Sequence, residues 1–185
     1  GLVVGYKQEA VRVYFGDGKK FGLRISYIEQ TEYLGTTHAV QCARAFCGED
    51  DFLLLYGDNL YSVEDLRHVQ KKDAFCYVVG KKVKNWQPYG ILVLQGKKLL
   101  RIVEKPKEFV GDLMNTGLYK FTADIWQEIG KLGLSARGEY ELTDVVTLLA
   151  QERLVRVLRL KKKFIDFGKK EDVQIVGNVV RRGKL

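Results

Sequence analysis

A short, unbroken apolar run at residues 52–56 restricts the choice of fold more than any other stretch of this sequence. It reads Phe-Leu-Leu-Leu-Tyr and leads directly into Gly57-Asp58. A continuous apolar run of this length is typical of a strand that is buried on both faces, as in a parallel sheet covered by helices. The run therefore predicts a central strand with Asp58 at its carboxyl end.

Strand and helix patterns alternate around this run, in the order strand 2–4, helix 8–15, strand 23–28, helix 36–45, and later strand 74–79. Repeated strand–helix units with short links indicate a parallel sheet. Two short strands between residues 90 and 104, joined by Gln95-Gly96-Lys97, predict an antiparallel excursion. A closing helix is expected at 170–180. Because no linker or internal repeat divides residues 1–185, we expect a single α/β domain.

The charge and the cysteines narrow the range of partners. Lysine and arginine number 31 against 23 acidic residues, which gives a formal net charge of +8 and an attraction for phosphates, nucleic acid or anionic membranes. No apolar stretch approaches the roughly 18 residues of a membrane span, and the charge runs lack the aromatic spacing of nucleic-acid binders. We therefore expect no membrane partner and no nucleic-acid partner. Three cysteines without metal-ligand spacing fit a reducing cytoplasm.

Two aspartates occupy similar places at the ends of predicted strands. Asp58 follows the apolar run, and Asp166 stands in the segment Phe164-Ile165-Asp166-Phe167-Gly168. Open α/β sheets bind ligands at the carboxyl ends of their strands, and Mg²⁺ is held by one or two carboxylates plus substrate phosphates. Either the two aspartates converge on one metal–phosphate site, or each belongs to an ordinary Gly/Asp turn.

Three further segments have a chemistry that could hold a ligand. Glu104-Lys105-Pro106 ends a strand with an acceptor beside a cation, and Asn115-Thr116-Gly117 opens the next strand. Segment 30–37 leads into a helix N-terminus, where backbone N–H groups favour an anion or a nucleobase edge. A solvated strand end, a turn and a capped helix are the ordinary alternatives. His38 and His68 accompany no nucleophile motif, so triad hydrolysis has no support.

Nine segments, taken in chain order, resemble one known family. They are Val3-Val4-Gly5-Tyr6, Tyr14-Phe15-Gly16-Asp17-Gly18, Gln30-x-x-x-Leu34-Gly35-Thr36, Gly57-Asp58, Tyr89-Gly90, Glu104-Lys105-Pro106, Asn115-Thr116-Gly117, Glu139-Tyr140-Glu141-Leu142-Thr143-Asp144 and Ile165-Asp166-Phe167-Gly168. The series resembles the sugar-phosphate nucleotidylyltransferases, particularly the glucose-1-phosphate thymidylyl- and uridylyltransferase group, over nearly the whole chain. The resemblance implies a Rossmann-like, three-layer α/β/α fold with a mixed, mostly parallel central sheet.

The resemblance also implies a reaction and a role for each segment. A nucleoside monophosphate would pass from dTTP or UTP to a sugar 1-phosphate, with glucose 1-phosphate expected first, and pyrophosphate would leave. Mg²⁺ is the implied cofactor, and a homo-oligomer is an expectation that no surface pattern decides. The implied sites are Gln30, Gly35 and Thr36 for the nucleotide, Asp58 and Asp166 for the metal, and Tyr89, Gly90, Glu104, Lys105 and Asn115 for the sugar phosphate. Asp58, Asp166 and Lys105 would be catalytic, with Lys105 on the phosphate of the sugar.

Two departures from the family pattern qualify these expectations. Nothing matches the family's N-terminal signature, a glycine-rich loop with an arginine followed by a Pro-Lys pair, and Phe164 stands where many relatives have tryptophan. We therefore expect the first strand–loop–helix unit to be missing from these residues and the activity to belong to a longer protein. The alternative is a non-catalytic regulatory or truncated domain that binds sugar nucleotides, against which the retention of Asp58 and Asp166 argues.

Overall fold

The computed structural model of the chain describes residues 1–135, 137–162, 164–168 and 172–181. Within these residues the strands are β1 (Leu2–Val4), β2 (Tyr27–Glu29), β3 (Phe52–Leu55), β4 (Asn59–Leu60), β5 (Cys76–Lys82), β6 (Gly90–Gln95), β7 (Lys98–Glu104), β8 (Leu113–Phe121), β9 (Val155–Arg159) and β10 (Ile165–Asp166). The α-helices are α1 (Gln8–Phe15), α2 (Thr36–Cys42), α3 (Arg44–Cys47), α4 (Val63–Val69), α5 (Asp124–Ile129), α6 (Leu142–Gln151) and α7 (Asp172–Arg181). The closing helix was expected from residue 170, but 170 and 171 lie outside the described residues.

The central sheet is mixed, as expected, and has the order β7-β6-β8-β5-β9, with β3 also paired to β8. Strands β3, β5, β6 and β9 run in one direction, whereas β7 and β8 run in the opposite direction. Four of the six strands therefore share one direction, as expected of a mostly parallel sheet, but most neighbouring strands are antiparallel to each other. Among the described pairs of this sheet, only β5 with β9 is parallel. The reason is that β8 lies between β3 and β5, so that Tyr119 pairs with Leu54 on one side and Val78 on the other.

Strand β3 is less buried than its apolar sequence predicts. Phe52, Leu53 and Leu54 are half-buried, and Leu55 is 43% exposed. In the described part of the chain β3 pairs with β8 alone. Its apolar run therefore marks a strand correctly, but the prediction of a centrally placed strand covered on both faces needs this correction.

Alternate residues of β5 divide the core into two layers, one on each face of the sheet. Cys76 and Val78 face a cluster that includes side chains of α2, α5 and α6, among them Val145 of α6. Tyr77 and Val79 face a second cluster that contains Val69 of α4. Helices therefore cover both faces of the sheet, which gives the expected three-layer α/β/α arrangement.

One strand pair lies outside this sheet near the N-terminus, and one edge of the sheet is a hairpin. Strands β1 and β2 form a separate parallel pair linked through α1. The predicted antiparallel excursion is the hairpin of β6 and β7, whose register pairs Gln95 with Lys98 across a turn at Gly96 and Lys97. Among the described residues, no helix is both long and apolar enough to cross a bilayer.

Candidate functional site

Most of the predicted site residues meet in one cleft of about 220 Å³. The predicted residues that line it are Thr36, Asp58, Tyr89, Gly90, Glu104, Asn115 and Asp166. Lys105, Gln30 and Gly35 are not part of this lining. The structure thus brings together the predicted metal residues and all the predicted sugar-phosphate residues except Lys105, whereas most of the predicted nucleotide segment lies outside the cleft wall.

Asp58 and Asp166 are neighbours because two short strands at the wall of the cleft pair with each other. Strand β4 pairs with β10 in antiparallel fashion, so Asn59 lies opposite Asp166. The amide N–H of Phe167 donates to the carbonyl oxygen of Asp58 at 2.8 Å. Partial burial raises the pKa of Asp166, and the negative charges of Asp58 and Asp172 raise it further. Two carboxylates separated by more than a hundred residues in sequence therefore share one electrostatic environment.

The carboxylate oxygen atoms of Asp58 and Asp166, where β4 pairs with β10, are of the kind that a hard divalent cation such as Mg²⁺ prefers. Asn59 donates through Nδ2 to the carbonyl of Thr116 at 3.1 Å, which fixes its amide, because a flipped amide would place oxygen against oxygen. Its Oδ1 is buried and has no hydrogen-bond donor. In the described part of the chain no group of three or more His, Cys, Asp or Glu residues forms a metal cluster. The fit therefore rests on the two carboxylates, to which substrate phosphates would add ligands, and Asn59, the residue after Asp58, carries a further buried oxygen without a hydrogen-bond donor.

Gly90 and Glu104, two of the predicted sugar-phosphate residues, face each other across the β6–β7 ladder. A Cβ atom at position 90 would lie 2.6 Å from Glu104 Oε2, so only glycine leaves this carboxylate in place. Partial burial raises the pKa of Glu104, although the nearby positive charges of Arg137 and Lys105 oppose that shift. The result is a carboxylate acceptor that is held against a bare stretch of backbone.

Lys105 follows in an uncommon backbone conformation. Its φ is 43°, in the left-handed region, and its N–H donates to the carbonyl of Tyr89 at 3.1 Å. The following Pro106 normally restricts such a residue to extended conformations. Strained residues of this kind cost about 1–3 kcal/mol and occur preferentially at functional sites. The strain at Lys105 therefore favours a functional role beside the cleft.

Buried hydroxyl groups support the floor of the cleft around Asn115. Its Nδ2 donates to the hydroxyl of Tyr119, and its Oδ1 accepts the N–H of Gly117 at 3.2 Å. Tyr119 is fully buried, which raises its pKa well above the usual range, and its hydroxyl also contacts that of Tyr56. Burial raises the pKa of Tyr56, and interactions with Tyr119 and Thr36 oppose that shift. These contacts fix the Asn115 amide before any ligand binds.

The groups of the predicted nucleotide segment are largely engaged within the protein. Gln30 Nε2 donates to the carbonyl of Gly35 at 3.3 Å and lies 3.2 Å from Nδ1 of His38. The N–H of Thr37 donates to the carbonyl of Tyr140 at 2.9 Å, so this amide of the helix start is not free for an anion. A nucleotide at this segment would meet side-chain edges more than free backbone donors.

Three further residues line the cleft without having been predicted as site residues, namely Arg137, Glu141 and Tyr56. Arg137 Nε donates to Glu141 Oε1 at 2.8 Å, and this bond raises the pKa of the guanidinium. The motif at 139–144 gave a signal for Glu141. Arg137 stands in a loop without a local pattern, so only the fold could place it.

Comparison with known proteins agrees with this architecture. A family model described as Nucleotidyl transferase matches residues 2–179. The low-salt glycan biosynthesis nucleotidyltransferase Agl11 of Haloferax volcanii is 31% identical over 190 residues, which cover 100% of this chain and 53% of that protein. A glucose-1-phosphate thymidylyltransferase of Streptomyces griseus is 34% identical, covering 97% of this chain and 52% of that protein. An apo UDP-glucose pyrophosphorylase structure matches with a TM-score of 0.82 at 20% identity, covering 99% of this chain and 81% of that one, and supports the fold.

The chain spans about half the length of these two curated relatives. The match nevertheless extends over almost every residue of this chain, and it includes the segments that form the cleft. The mixed sheet with its helical layers is the Rossmann-like α/β fold of such enzymes. The chain therefore belongs to the sugar-phosphate nucleotidyltransferase family.

Proposed function

We propose that this chain carries the acceptor and metal sites of a sugar-1-phosphate nucleotidyltransferase. The transferred group is a nucleoside monophosphate from dTTP or UTP, and glucose 1-phosphate is the first candidate acceptor. The observation that carries the proposal is that Asp58 and Asp166 share one cleft with Tyr89, Gly90, Glu104 and Asn115. Carboxylates for a cation and polar groups for a sugar are thereby placed side by side.

Each of these residues has a role that follows from its chemistry. Glu104 accepts hydrogen bonds from sugar hydroxyls, and the Asn115 amide orients the ring. Lys105 and Arg137 are the cations for the phosphate of the sugar. Asp58 and Asp166 hold Mg²⁺, with Asn59 Oδ1 beside them, and the ion when bound neutralises the charge of the phosphate oxygens.

The reaction itself needs no protein nucleophile. A phosphate oxygen of the sugar 1-phosphate forms a bond to the α-phosphorus of the nucleotide, the bond from the α-phosphorus to the bridging oxygen breaks, and pyrophosphate leaves with the electron pair. The protein contributes by holding the acceptor in line and by stabilising charge. Gln30, Gly35 and Thr36 form the proposed base side. Thymine and uracil differ by one methyl group, a difference of about 1–3 kcal/mol in binding to an apolar pocket. The preference between dTTP and UTP must therefore be determined by experiment.

Pyrophosphate release in the presence of Mg²⁺ tests the proposal. The full-length protein that contains this chain is given dTTP or UTP with glucose 1-phosphate or another hexose 1-phosphate, and its Asp58→Asn and Asp166→Asn variants are measured beside it. Asp17→Asn, in an exposed turn where Asp17 pairs with Lys19, is the matched control. We expect turnover that both site variants reduce at least a hundredfold and that the control retains.

The other results of this experiment are equally informative. Binding of a nucleotide sugar without turnover favours the regulatory alternative, whereas no binding of nucleotide, sugar phosphate or nucleotide sugar contradicts the proposal.

The cytoplasm is the proposed location, because Cys42, Cys47 and Cys76 are free thiols, which are typical of a reducing compartment.

A further inference from the structure

Two segments that are far apart in sequence are bonded together behind the cleft wall. The N–H of Tyr140 donates to the carbonyl of Leu34 at 2.8 Å, and the N–H of Thr37 donates to the carbonyl of Tyr140 at 2.9 Å. The N–H of Leu142 donates to Thr36 Oγ1 at 2.9 Å. A Cβ atom on Gly35 would lie 2.6 Å from the Tyr140 carbonyl oxygen, so the two backbones are in the closest approach that glycine allows.

The second of these segments carries a charged pair into the cleft. Glu141 is the N-cap residue of α6, but its side chain caps no N–H of that helix. Its carboxylate instead accepts the Nε of Arg137 at 2.8 Å, together with a second bond from Nη2. The Glu141 side chain is 11% exposed and that of Arg137 48% exposed. A buried carboxylate thus holds a guanidinium that lines the cleft.

Thr36 supplies a hydrogen-bond partner for the first N–H of α6. The first N–H groups of a helix have no partner within the helix, and the N–H of Leu142 is one of them. Because Thr36 accepts this N–H, it holds the first residue of α6, which directly follows Glu141. The contact joins a residue of α2 to the residue that directly follows Glu141.

We propose that Thr36 is a positioning residue for Arg137, and that through the Leu142 N–H and Glu141 it sets the affinity of the cleft for the phosphate of the sugar 1-phosphate. This inference rests on the proposed function, because it assigns Arg137 to that phosphate. It gives Thr36 a task that is separate from contact with a nucleotide. It also links the nucleotide side of the site to the phosphate side by a defined chain of contacts.

The test is the affinity for glucose 1-phosphate, measured by calorimetry in the presence of Mg²⁺. Thr36→Val keeps the shape of the side chain and removes the acceptor, whereas Thr36→Ser keeps the acceptor. We expect Thr36→Val to weaken binding about tenfold and Thr36→Ser less than about threefold. In an Arg137→Gln background we expect Thr36→Val to have no further effect, because the residue through which it acts is absent.

Additive losses from Thr36→Val and Arg137→Gln would overturn the inference, because additivity would mean that Thr36 acts by a route that does not pass through Arg137. If Thr36→Val lowers the melting temperature too far for titration, Glu141→Gln tests the last link in the same way and must lose its effect in the Arg137→Gln background. The proposed function is judged separately by Asp58→Asn. If that variant loses turnover while the Thr36 and Arg137 effects add, only the positioning role fails.

Discussion

At the scale of single residues, Gly90 is the position where one added carbon is expected to change the site but spare the fold. Its φ lies outside the left-handed region, and the nearest atom to an added Cβ is Glu104 Oε2 at 2.6 Å, the far end of a flexible side chain. We expect Gly90→Ala to displace this carboxylate and to raise the KM for the sugar 1-phosphate about tenfold. The melting temperature is expected to stay nearly constant.

Gly96→Ala is the matched control for that measurement. Gly96 has a φ of 62° and open space around its missing Cβ, so alanine costs about 1 kcal/mol of stability through the backbone alone and touches no site residue. We expect a lower melting temperature with an unchanged KM. The opposite pattern in the two variants would remove Glu104 from the sugar side.

The Tyr77–Asp73 pair gives a single-residue prediction with a pH dependence. The Tyr77 hydroxyl donates to Asp73 Oδ2 at 2.6 Å, and this bond is the main cause of the lowered pKa of Asp73. A carboxyl group with a lowered pKa in the folded state stabilises the protein above its unfolded pKa of about 3.9, and this stability is lost as the pH falls through the folded value. Tyr77→Phe is therefore expected to cost about 1 kcal/mol at pH 7 and less at pH 3.

Tyr61→Phe is the control, since the Tyr61 hydroxyl donates to the carbonyl of Thr116 at 2.6 Å, an acceptor that does not titrate. Urea unfolding of both variants at pH 7 and pH 3 measures the difference. We expect the cost of Tyr61→Phe to be the same at both values of pH. An equally constant cost for Tyr77→Phe would show that the charge of Asp73 does not matter.

At the scale of elements, one buried lysine joins three strands of the sheet. Lys120 of β8 has a side chain that is 3% exposed, with Nζ 2.8 Å from the Asp51 carboxylate directly before β3. The same Nζ donates to the carbonyls of Asp73 and Phe75, before β5, at 2.6 and 3.1 Å. Because Lys120→Met leaves both carbonyls without this donor, we expect it to lower the free energy of unfolding by about 2 kcal/mol. Urea titration checks this, with exposed Lys98→Met as a control expected to change it by less than about 0.5 kcal/mol.

Elements with a local sequence pattern could be predicted from the sequence, whereas contacts between distant segments could not. The apolar run 52–56 identified β3, but its neighbours depend on β8, whose return between β3 and β5 has no local signature. The position of Asp58 and Asp166 at the ends of predicted strands marked them as site candidates. The pairing of β4 with β10 brings them together. The bond from Leu142 to Thr36 was missed because it joins residues 106 positions apart. Arg137 was missed because its pairing with Glu141, four residues along the chain, has no sequence signature that marks a cleft residue.

At the scale of the whole molecule, the net charge of +8 does not describe the cleft. The charged residues of the described lining are Asp58, Glu104, Glu141, Asp166 and Arg137. Four of these are acidic and one is basic, so the cleft lining is acidic although the chain as a whole is basic. Exposed charges more than about 10 Å away are largely screened at 0.1 M salt, and the surface lysines therefore cannot replace a cation inside the cleft.

This contrast separates two ways in which the molecule could bind phosphates, and the titration of UTP or dTTP distinguishes them. If the ligand binds in the acidic cleft, removal of divalent cations with EDTA is expected to weaken binding at least tenfold, because the phosphates then face uncompensated carboxylates. Raising the NaCl concentration from 50 to 200 mM in the presence of Mg²⁺ is expected to weaken binding only about twofold to threefold. Binding through the basic surface predicts the reverse order, with little effect of EDTA and the steep salt dependence of nucleic-acid binders. Asp166→Asn supplies the internal control, since removing this carboxylate is expected to make nucleotide binding weaker with Mg²⁺ and no weaker in EDTA.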